Sequence, residues 1–128
     1  MRKSPRKAVT LGVMIMWNGK MKALTFSYDD AVTSDERLIA IFNKYGMKGT
    51  FNVNSGTLVH ENQPRKAWRI RNQWGYLTKF YIEELPEIYK GHEVAAHGYM
   101  HRNLENTSRA EAAADIADDI AAIEDMMG

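Results

Sequence analysis

Short apolar runs separated by an amphipathic stretch predict alternating strands and helices in this chain. Residues 23–28 and 49–53 are apolar runs of strand length, and residues 34–45 repeat apolar positions at helical spacing. Strand, helix and strand in this order form a βαβ unit, whose strands are parallel and joined by a right-handed crossover. The pattern therefore predicts an α/β protein.

The helix predicted over residues 34–45 has a signal at each end. Thr33-x-x-Glu36 has the form of a capping box, and Gly46 stands where a left-handed residue commonly ends a helix. The apolar residues at helical spacing, which we expect to face the core, are Leu38, Ile41, Phe42 and Tyr45.

The second half of the chain continues the alternation less regularly. Residues 54–76 are predicted to be a long irregular loop, which inside a compact domain is more often functional than accidental. Residues 78–89 are predicted to be helical, bent or shortened by Pro86. Residues 93–96 form a short buried strand that ends at His97.

The C-terminal stretch predicts one more helix, opened by a second capping box, Ser108-x-x-Glu111. In this interpretation the isoleucines of the helix face the core and its aspartates face solvent. The inward residues are Ile116, Ile120 and Ile123, and the outward ones are Asp115, Asp118 and Asp119.

The N-terminal residues predict a β-hairpin. Residues 14–17 and 20–26 are its arms, and Asn18-Gly19 is a pair preferred in type I′ turns. The basic start followed by an apolar run resembles an export signal, but the run is short and no small-residue cleavage site follows it. No stretch is long enough to span a membrane, so a cytoplasmic location is the default expectation.

Composition limits the classes of function. With 128 residues, 45% hydrophobic and 26% charged, the chain is expected to be one soluble domain over residues 1–128. A net charge of +1 gives no reason to expect a nucleic-acid or membrane partner. The absence of cysteine excludes disulfides and Cys-ligated zinc sites.

Two short motifs carry the candidate chemistry. Asp29-Asp30 follows the first strand of the βαβ unit, and His97-x-x-x-His101 follows the last predicted strand. Each motif alone is weak evidence, because paired aspartates commonly cap helices and histidine pairs occur by chance. The C-terminal ends of parallel strands share one edge of a sheet, however, so the two motifs are expected to meet there.

Two imidazoles and one carboxylate suit a divalent metal ion and leave positions open for water and substrate. Adjacent aspartates diverge on an extended backbone, so we expect one to bind the ion and the other to stand near its water. Metal-assisted hydrolysis needs this division of roles.

The segments around both motifs resemble the polysaccharide deacetylase family, the NodB-homology or chitooligosaccharide deacetylase group. Residues 24–31, LTFSYDDA, resemble the first motif of the family, and residues 49–51, GTF, resemble its second strand. Residues 91–97, GHEVAAH, together with His101, resemble its second motif. The resemblance covers residues 22 to about 125.

The resemblance implies a distorted, here partial, β/α barrel with parallel strands, and removal of acetyl groups from N-acetylglucosamine-type oligo- or polysaccharides. It implies that Asp29 is the general base and that Asp30, His97 and His101 bind a divalent metal, with Zn²⁺ expected first and Co²⁺ as another candidate. Tyr99 is the best candidate for a sugar contact at the rim, because aromatic faces suit apolar sugar surfaces.

The chain departs from the family pattern at three places. Ala31 replaces a usual Gly, and Gly98 replaces a Ser or Thr that hydrogen-bonds the loop. The later motifs, which would supply an Arg-Pro-Tyr loop, an Asp-Trp segment and a Leu-x-His general acid, do not occur before Gly128. We therefore expect a domain truncated on its C-terminal side, a bound metal, weak turnover, and a homo-oligomer that covers exposed strand edges.

Two alternatives remain open at this point: a non-catalytic metal- or glycan-binding remnant, and an unrelated metal-dependent hydrolase or isomerase on a small α/β sheet. His60 in the long loop is a minor catalytic candidate, and His92 is expected to be structural because it opens the strand that His97 follows. Trp68, Trp74 and Tyr76 are expected mainly to cover the core.

Overall fold

A computed structural model describes residues 22–69 and 76–128 of the chain as an α/β fold. Short 3₁₀ turns at Ser55–Thr57, Ile82–Glu84 and Leu104–Asn106 connect some of the elements. In chain order the strands and helices are β1 (Ser27–Asp29), α1 (Asp35–Tyr45), β2 (Thr50–Val53), β3 (Ala67–Arg69), β4 (Tyr76–Thr78), α2 (Leu85–Ile88), β5 (Glu93–Ala96) and α3 (Arg109–Met127).

The principal sheet has three parallel strands in the order β1-β2-β5. Asp29 pairs with Asn52 at the end of β1, and Val53 pairs with Ala96 at the end of β5. β1, α1 and β2 form the predicted βαβ unit, which confirms the parallel α/β class. Within residues 22–69 and 76–128 the parallel strands form an open sheet, and the predicted barrel is not shown.

The core lies where β2 meets α1 and the segment around α2. Phe51 stacks on Tyr89 with ring centroids 4.7 Å apart, and Phe42 of α1 is equally buried. Burial of each large apolar side chain contributes roughly 1.5–3 kcal/mol, so this cluster holds the sheet against the helices. Further buried apolar residues are Ala31, Ile39, Val53, Leu58, Phe80, Leu85 and Ile123.

Helix α1 has the predicted extent, and Gly46 ends it in the left-handed conformation with φ 65°. The capping box predicted at Thr33 is wrong: Ser34 is the N-cap, and the Thr33 hydroxyl lies 2.7 Å from that of Thr78. The predicted buried stripe is only partly right. Phe42 is buried and Leu38 half-buried, whereas Ile41 and Tyr45 are exposed and Ile39 takes the inward position.

The stretch between β2 and β5 differs most from expectation. β3 and β4 pair as an antiparallel hairpin inside the regions predicted as loop and as helix. Only Leu85–Ile88 of the predicted helix 78–89 is α-helical, and Pro86 stands in its first turn, where the missing N–H is tolerated. Trp74 and the side chains of Trp68 and Tyr76 lie outside what the structure describes.

The predicted N-terminal hairpin lies largely outside the described residues. Its first arm and turn fall within residues 1–21, and residues 22–26 of its second arm carry no strand. In the described part of the chain, no helix combines the length and apolar character that crossing a membrane requires.

Helix α3 begins at the predicted capping box. The Ser108 hydroxyl accepts a hydrogen bond from the Glu111 amide, and the Glu111 carboxylate accepts one from the Ser108 amide. The predicted orientation of its faces is wrong for four of the six residues. Ile116 and Ile120 are exposed, Ile123 and Asp118 are oriented as expected, and Asp115 and Asp119 are buried.

Candidate metal centre

The C-terminal ends of β1 and β5 bring the two chemical motifs together. Asp29 is the last residue of β1 and Asp30 follows it, while His97 comes directly after β5. One ligand atom each from Asp30, His97 and His101 lies within 4.8 Å of the others. His101 Nε2 is 3.7 Å from Asp30 Oδ1, and the two imidazole centroids are 5.1 Å apart.

The donor set of this cluster fits a divalent metal ion. Two imidazole nitrogens and one carboxylate oxygen are common zinc ligands, and ligands of one tetrahedral zinc lie about 3.3 Å apart. The separations in the structure, all within 4.8 Å, exceed that value by at most about 1.5 Å. Asp30 and His97 are half-buried and His101 is exposed, so the cluster is accessible to water and to a substrate.

Asp29 stands beside the cluster and is oriented by the neighbouring strand. Its Oδ1 accepts a hydrogen bond of 2.8 Å from Asn52 Nδ2, and its Oδ2 lies 3.9 Å from His97 Nε2. Asn52 Nδ2 also contacts Ser27 Oγ at 2.8 Å and the Tyr28 carbonyl oxygen at 3.2 Å. The carboxylate of Asp29 therefore has one oxygen held by the sheet and one near the His97 imidazole.

The backbone turns sharply after Asp29. Asp30 and Ala31 both have positive φ, 82° and 52°, a region that residues other than Gly seldom occupy. The expectation of an extended backbone at this point is therefore wrong for Asp30. Hydrogen bonds from Asp30 N to Asn52 O and from Phe80 N to Ala31 O hold the turn.

Helix α3 supplies polar contacts that the sequence interpretation missed. Asp119 Oδ2 accepts a 2.8 Å hydrogen bond from the His97 amide, and Asp115 Oδ1 accepts one of 3.1 Å from the Met100 amide. Positions 115, 119 and 123 lie four residues apart on one helical face, which also carries the buried Ile123. That spacing was the available signal, but hydropathy assigned the aspartates to solvent.

Asn54 fixes the other side of the same loop. Its side chain, fully buried just after β2, donates hydrogen bonds to the carbonyl oxygens of His97 at 2.6 Å and Gly98 at 2.9 Å. Gly98 has a φ of 83°, and a Cβ there would lie 2.8 Å from Asp115 Oδ2. The glycine is therefore required by both its conformation and the space around it.

Lys79 and Asp35 are two further buried ionisable groups whose pKa the charge of Asp30 affects. Burial lowers the pKa of Lys79, although the negative charges of Asp30 and Asp119 act in the opposite direction. Burial raises the pKa of Asp35 to about 6, against the hydrogen bond from the Tyr89 hydroxyl, and the charge of Asp30 adds to the increase. Lys79 and Asp35 thus place charged groups of both signs in a buried environment of low dielectric constant near Asp30.

The remaining histidines have other partners. His60 Nδ1 lies 2.6 Å from Glu83 Oε1 in an exposed pair. His92 precedes β5; its Nδ1 accepts from the Gly49 amide, and its Nε2 lies 3.2 Å from Asn43 Oδ1. His92 is therefore at the end of β5 opposite to His97, and burial lowers its pKa.

Tyr99 packs against the 3₁₀ turn that follows β2. A Cβ on Gly56 would lie 2.5 Å from the Tyr99 ring, so the aromatic face covers that glycine. Beside the histidines, a cavity of about 350 Å³ opens between β5 and α3. Its walls are formed by Ala96, His97, Gly98, His101, Arg102, Leu104, Asp115 and Ile116.

The fold and this site define an α/β protein with a histidine and aspartate cluster at the C-terminal end of a parallel sheet. Residues 17–128 match the family model described as polysaccharide deacetylase, so the chain belongs to the polysaccharide deacetylase family. A search of curated proteins gave no match.

Among solved structures the chain is similar to the Streptococcus pyogenes deacetylase PplD in complex with acetate. The TM-score is 0.64 at 18% sequence identity, over 84% of this chain and 42% of that one. At this identity the similarity shows a shared fold, and the chain spans less than half the length of that structure.

Proposed function

We propose that the cluster is the catalytic centre of a metal-dependent hydrolase that removes acetyl groups from N-acetylglucosamine-type glycans. The observation that carries the proposal is the convergence of Asp30, His97 and His101 within 4.8 Å, with Asp29 beside them. Membership of the polysaccharide deacetylase family supports the substrate class.

Asp30, His97 and His101 would hold the metal ion, with Zn²⁺ or Co²⁺ as the candidates to be tested. When bound, such an ion polarises a carbonyl group and lowers the pKa of water. The exposure of His101 and the cavity beside it leave space on one side of the cluster for the acetyl group of a substrate.

Asp29 is the proposed general base. It lies next to the ligand cluster without belonging to the set of three, and its Oδ2 is the oxygen that faces His97. A carboxylate in that position accepts the proton of the attacking water, and the hydrogen bond from Asn52 keeps its other oxygen in place. Asp29 and Asp30 therefore divide the roles of base and ligand.

Tyr99 is proposed as a sugar contact. Tyr99 is half-buried, belongs to the loop that carries both histidines, and packs its ring on Gly56. An aromatic ring fixed in this way offers a flat apolar surface to a pyranose. We expect Tyr99→Ala to raise the KM for an oligosaccharide more than it lowers kcat.

Acetate release from N-acetylglucosamine oligomers, with Zn²⁺ or Co²⁺ added, tests the proposal. We expect slow release, because Asp29, Asp30, His97 and His101 include no residue proposed as the general acid for the leaving amine, which is typically worth ~10²–10⁴ in rate. Asp29→Asn should abolish release while keeping Zn²⁺ affinity, whereas His97→Ala and His101→Ala should lose the affinity.

His60→Ala is the matched control, because this exposed histidine pairs with Glu83 instead of the cluster. It should bind Zn²⁺ as the unaltered chain does. Zinc affinity that survives both His97→Ala and His101→Ala contradicts the metal assignment, and acetate release that survives Asp29→Asn contradicts the assignment of the base.

A further inference from the structure

The main chain of His97 is held on both sides by buried polar side chains. Its amide donates to Asp119 Oδ2 at 2.8 Å, and its carbonyl oxygen accepts from Asn54 Nδ2 at 2.6 Å. Asp119 and Asn54 are both fully buried. The direction in which the His97 imidazole leaves the backbone is therefore fixed by residues outside the ligand cluster.

Asp119 also holds the end of the central strand. Its Oδ1 accepts from the Ser55 amide at 2.8 Å and from the Ser55 hydroxyl at 2.5 Å. Ser55 lies two residues beyond the end of β2, whereas His97 directly follows β5. One carboxylate thus joins the C-terminal ends of two neighbouring parallel strands.

Asp115 acts on the same loop one helical turn earlier. Its Oδ1 accepts from the Met100 amide and lies 3.3 Å from Arg102 Nε, and its carbonyl oxygen accepts from the Tyr99 amide. Asp115 and Asp119 therefore bind the loop from residue 97 to residue 102 at both ends. Both His97 and His101 belong to that loop.

A fully buried carboxylate needs a specific reason, because removing its charge from water is costly unless hydrogen bonds compensate. An apolar side chain at position 119 would be buried at a lower desolvation cost. Ile123 is such a side chain, one turn later on the same face of α3. Asp119 accepts hydrogen bonds from the amide and the hydroxyl of Ser55 and from the amide of His97.

We propose that Asp119 is a positioning residue, which sets the orientation of His97 for metal binding through the His97 amide. The inference rests on the proposed function, because the orientation of His97 matters for activity when His97 binds a metal ion. Asp115 supports the same loop at its far end.

Zinc affinity of the full chain, with the d–d absorption of bound Co²⁺, provides the test. In Asp119→Asn an amide NH₂ must face either the His97 or the Ser55 donor, so one of these hydrogen bonds is lost. We expect roughly 10–100-fold weaker Zn²⁺ binding, the usual effect of altering a group that orients a ligand, and an altered Co²⁺ spectrum.

Two variants of the same helix are the controls. Asp118→Asn removes an equal charge from the exposed side of α3, and Ile123→Ala removes buried contacts one turn further along. We expect Ile123→Ala to lower the Tm yet to keep Zn²⁺ affinity within twofold, as should Asp118→Asn. A loss of affinity in Ile123→Ala equal to that in Asp119→Asn would mean that Asp119 acts only through stability.

Amide hydrogen exchange tests the inference without a bound metal ion. We expect the amide that loses its acceptor in Asp119→Asn, that of His97 or that of Ser55, to exchange at least tenfold faster relative to the core amide of Phe51. Unchanged exchange together with unchanged Zn²⁺ affinity overturns the positioning role. A chain that binds no Zn²⁺, yet shows the faster exchange, contradicts the proposed function and leaves the structural role of Asp119 intact.

Discussion

Asn52 donates a 2.8 Å hydrogen bond to Asp29, its register partner on the neighbouring parallel strand. The bond runs from the amide nitrogen of one side chain to Oδ1 of the other, at the edge of the sheet where the ligand cluster lies. A side chain in the sheet thereby orients the proposed base.

Asn52→Ala tests that relationship. We expect acetate release to fall about tenfold, because a hydrogen bond to a charged group contributes roughly 1.5–3 kcal/mol and this one is partly exposed to water. Zn²⁺ affinity should stay within twofold, since Asn52 accepts from the Asp30 amide through its main-chain carbonyl oxygen, which the substitution keeps. Asn103→Ala, at an exposed cap of a 3₁₀ turn, is the control. Equal rates in Asn52→Ala and the unaltered chain would show that Asp29 needs no such support.

Substitutions at Ala31 test the turn after Asp30. Ala31 has a φ of 52° and is 1% exposed, so its position tolerates neither a β-branched residue nor added volume. We expect Ala31→Val to reduce the free energy of unfolding by about 2–4 kcal/mol. Ala31→Gly should change it by less than about 1 kcal/mol, since relief of the left-handed backbone offsets the lost methyl group. Urea unfolding measures both, and a Val variant as stable as the Gly variant would refute the argument.

The two N-caps of the long helices give a paired stability test. The Ser108 side chain accepts from the Glu111 amide, whereas the side chain of Ser34 makes no capping hydrogen bond at α1. Ser108→Ala should therefore cost about 1 kcal/mol of unfolding free energy, and Ser34→Ala only a few tenths. The measurement is the midpoint of chemical denaturation at constant pH. A larger loss in Ser34→Ala would contradict the assignment of the caps.

Asp35 predicts an unusual pH dependence of stability. Burial raises its folded-state pKa to about 6, from an ordinary value of 3.8. Between about pH 4 and pH 6 the unfolded chain loses this proton while the folded chain keeps it, so this contribution to stability falls as the pH rises and is constant above that window. The full effect is about 2–3 kcal/mol.

Asp35→Asn isolates the contribution, because Asn stays neutral and can still accept the hydrogen bond from Tyr89. Other carboxylates act in the opposite direction; hydrogen bonds to Arg65 and Ser108, for example, lower the pKa of Glu84 and Glu111. The difference in unfolding free energy between the variant and the unaltered chain should therefore shift in favour of the variant from pH 4 to pH 6.5, in the presence of a chelator. A difference independent of pH would rule out the raised pKa.

The sequence was sufficient for the parallel βαβ unit and for the position of the strand before His97, because both follow from local apolar patterns and helix signals. The predicted burial of that strand is wrong: Glu93 is exposed, and the other three residues are half-buried. The motifs of the sequence also indicated all four residues that the structure brings together at the edge of the sheet, which are Asp29, Asp30, His97 and His101. Their roles in metal binding and catalysis remain predictions. The pairing of β3 with β4 was not predicted, because strand pairing depends on partners that are not adjacent in the sequence.

The faces of α3 show why the rest could not be read from local patterns. Hydropathy directs isoleucines inward and aspartates outward, which is right for Ile123 and Asp118. Asp119 is buried because its carboxylate accepts hydrogen bonds from the amides of Ser55 and His97. Neither of these residues lies near Asp119 in the sequence. Only the assembled sheet creates that demand for an acceptor, so tertiary contacts override the preference of the side chain for water.

The two outer strands of the sheet each contribute to the ligand cluster, and the central strand β2 contributes none. An ion held by Asp30 and His97 would therefore span the sheet as a tether between segments far apart in the chain. Such a tether restricts the unfolded ensemble through the entropy of loop closure. It would also suppress fraying of β5, whose outer edge has no strand partner among the described residues. Metal binding should then slow hydrogen exchange most at the β5 amides. The ion would stabilise the sheet in addition to its proposed role in catalysis.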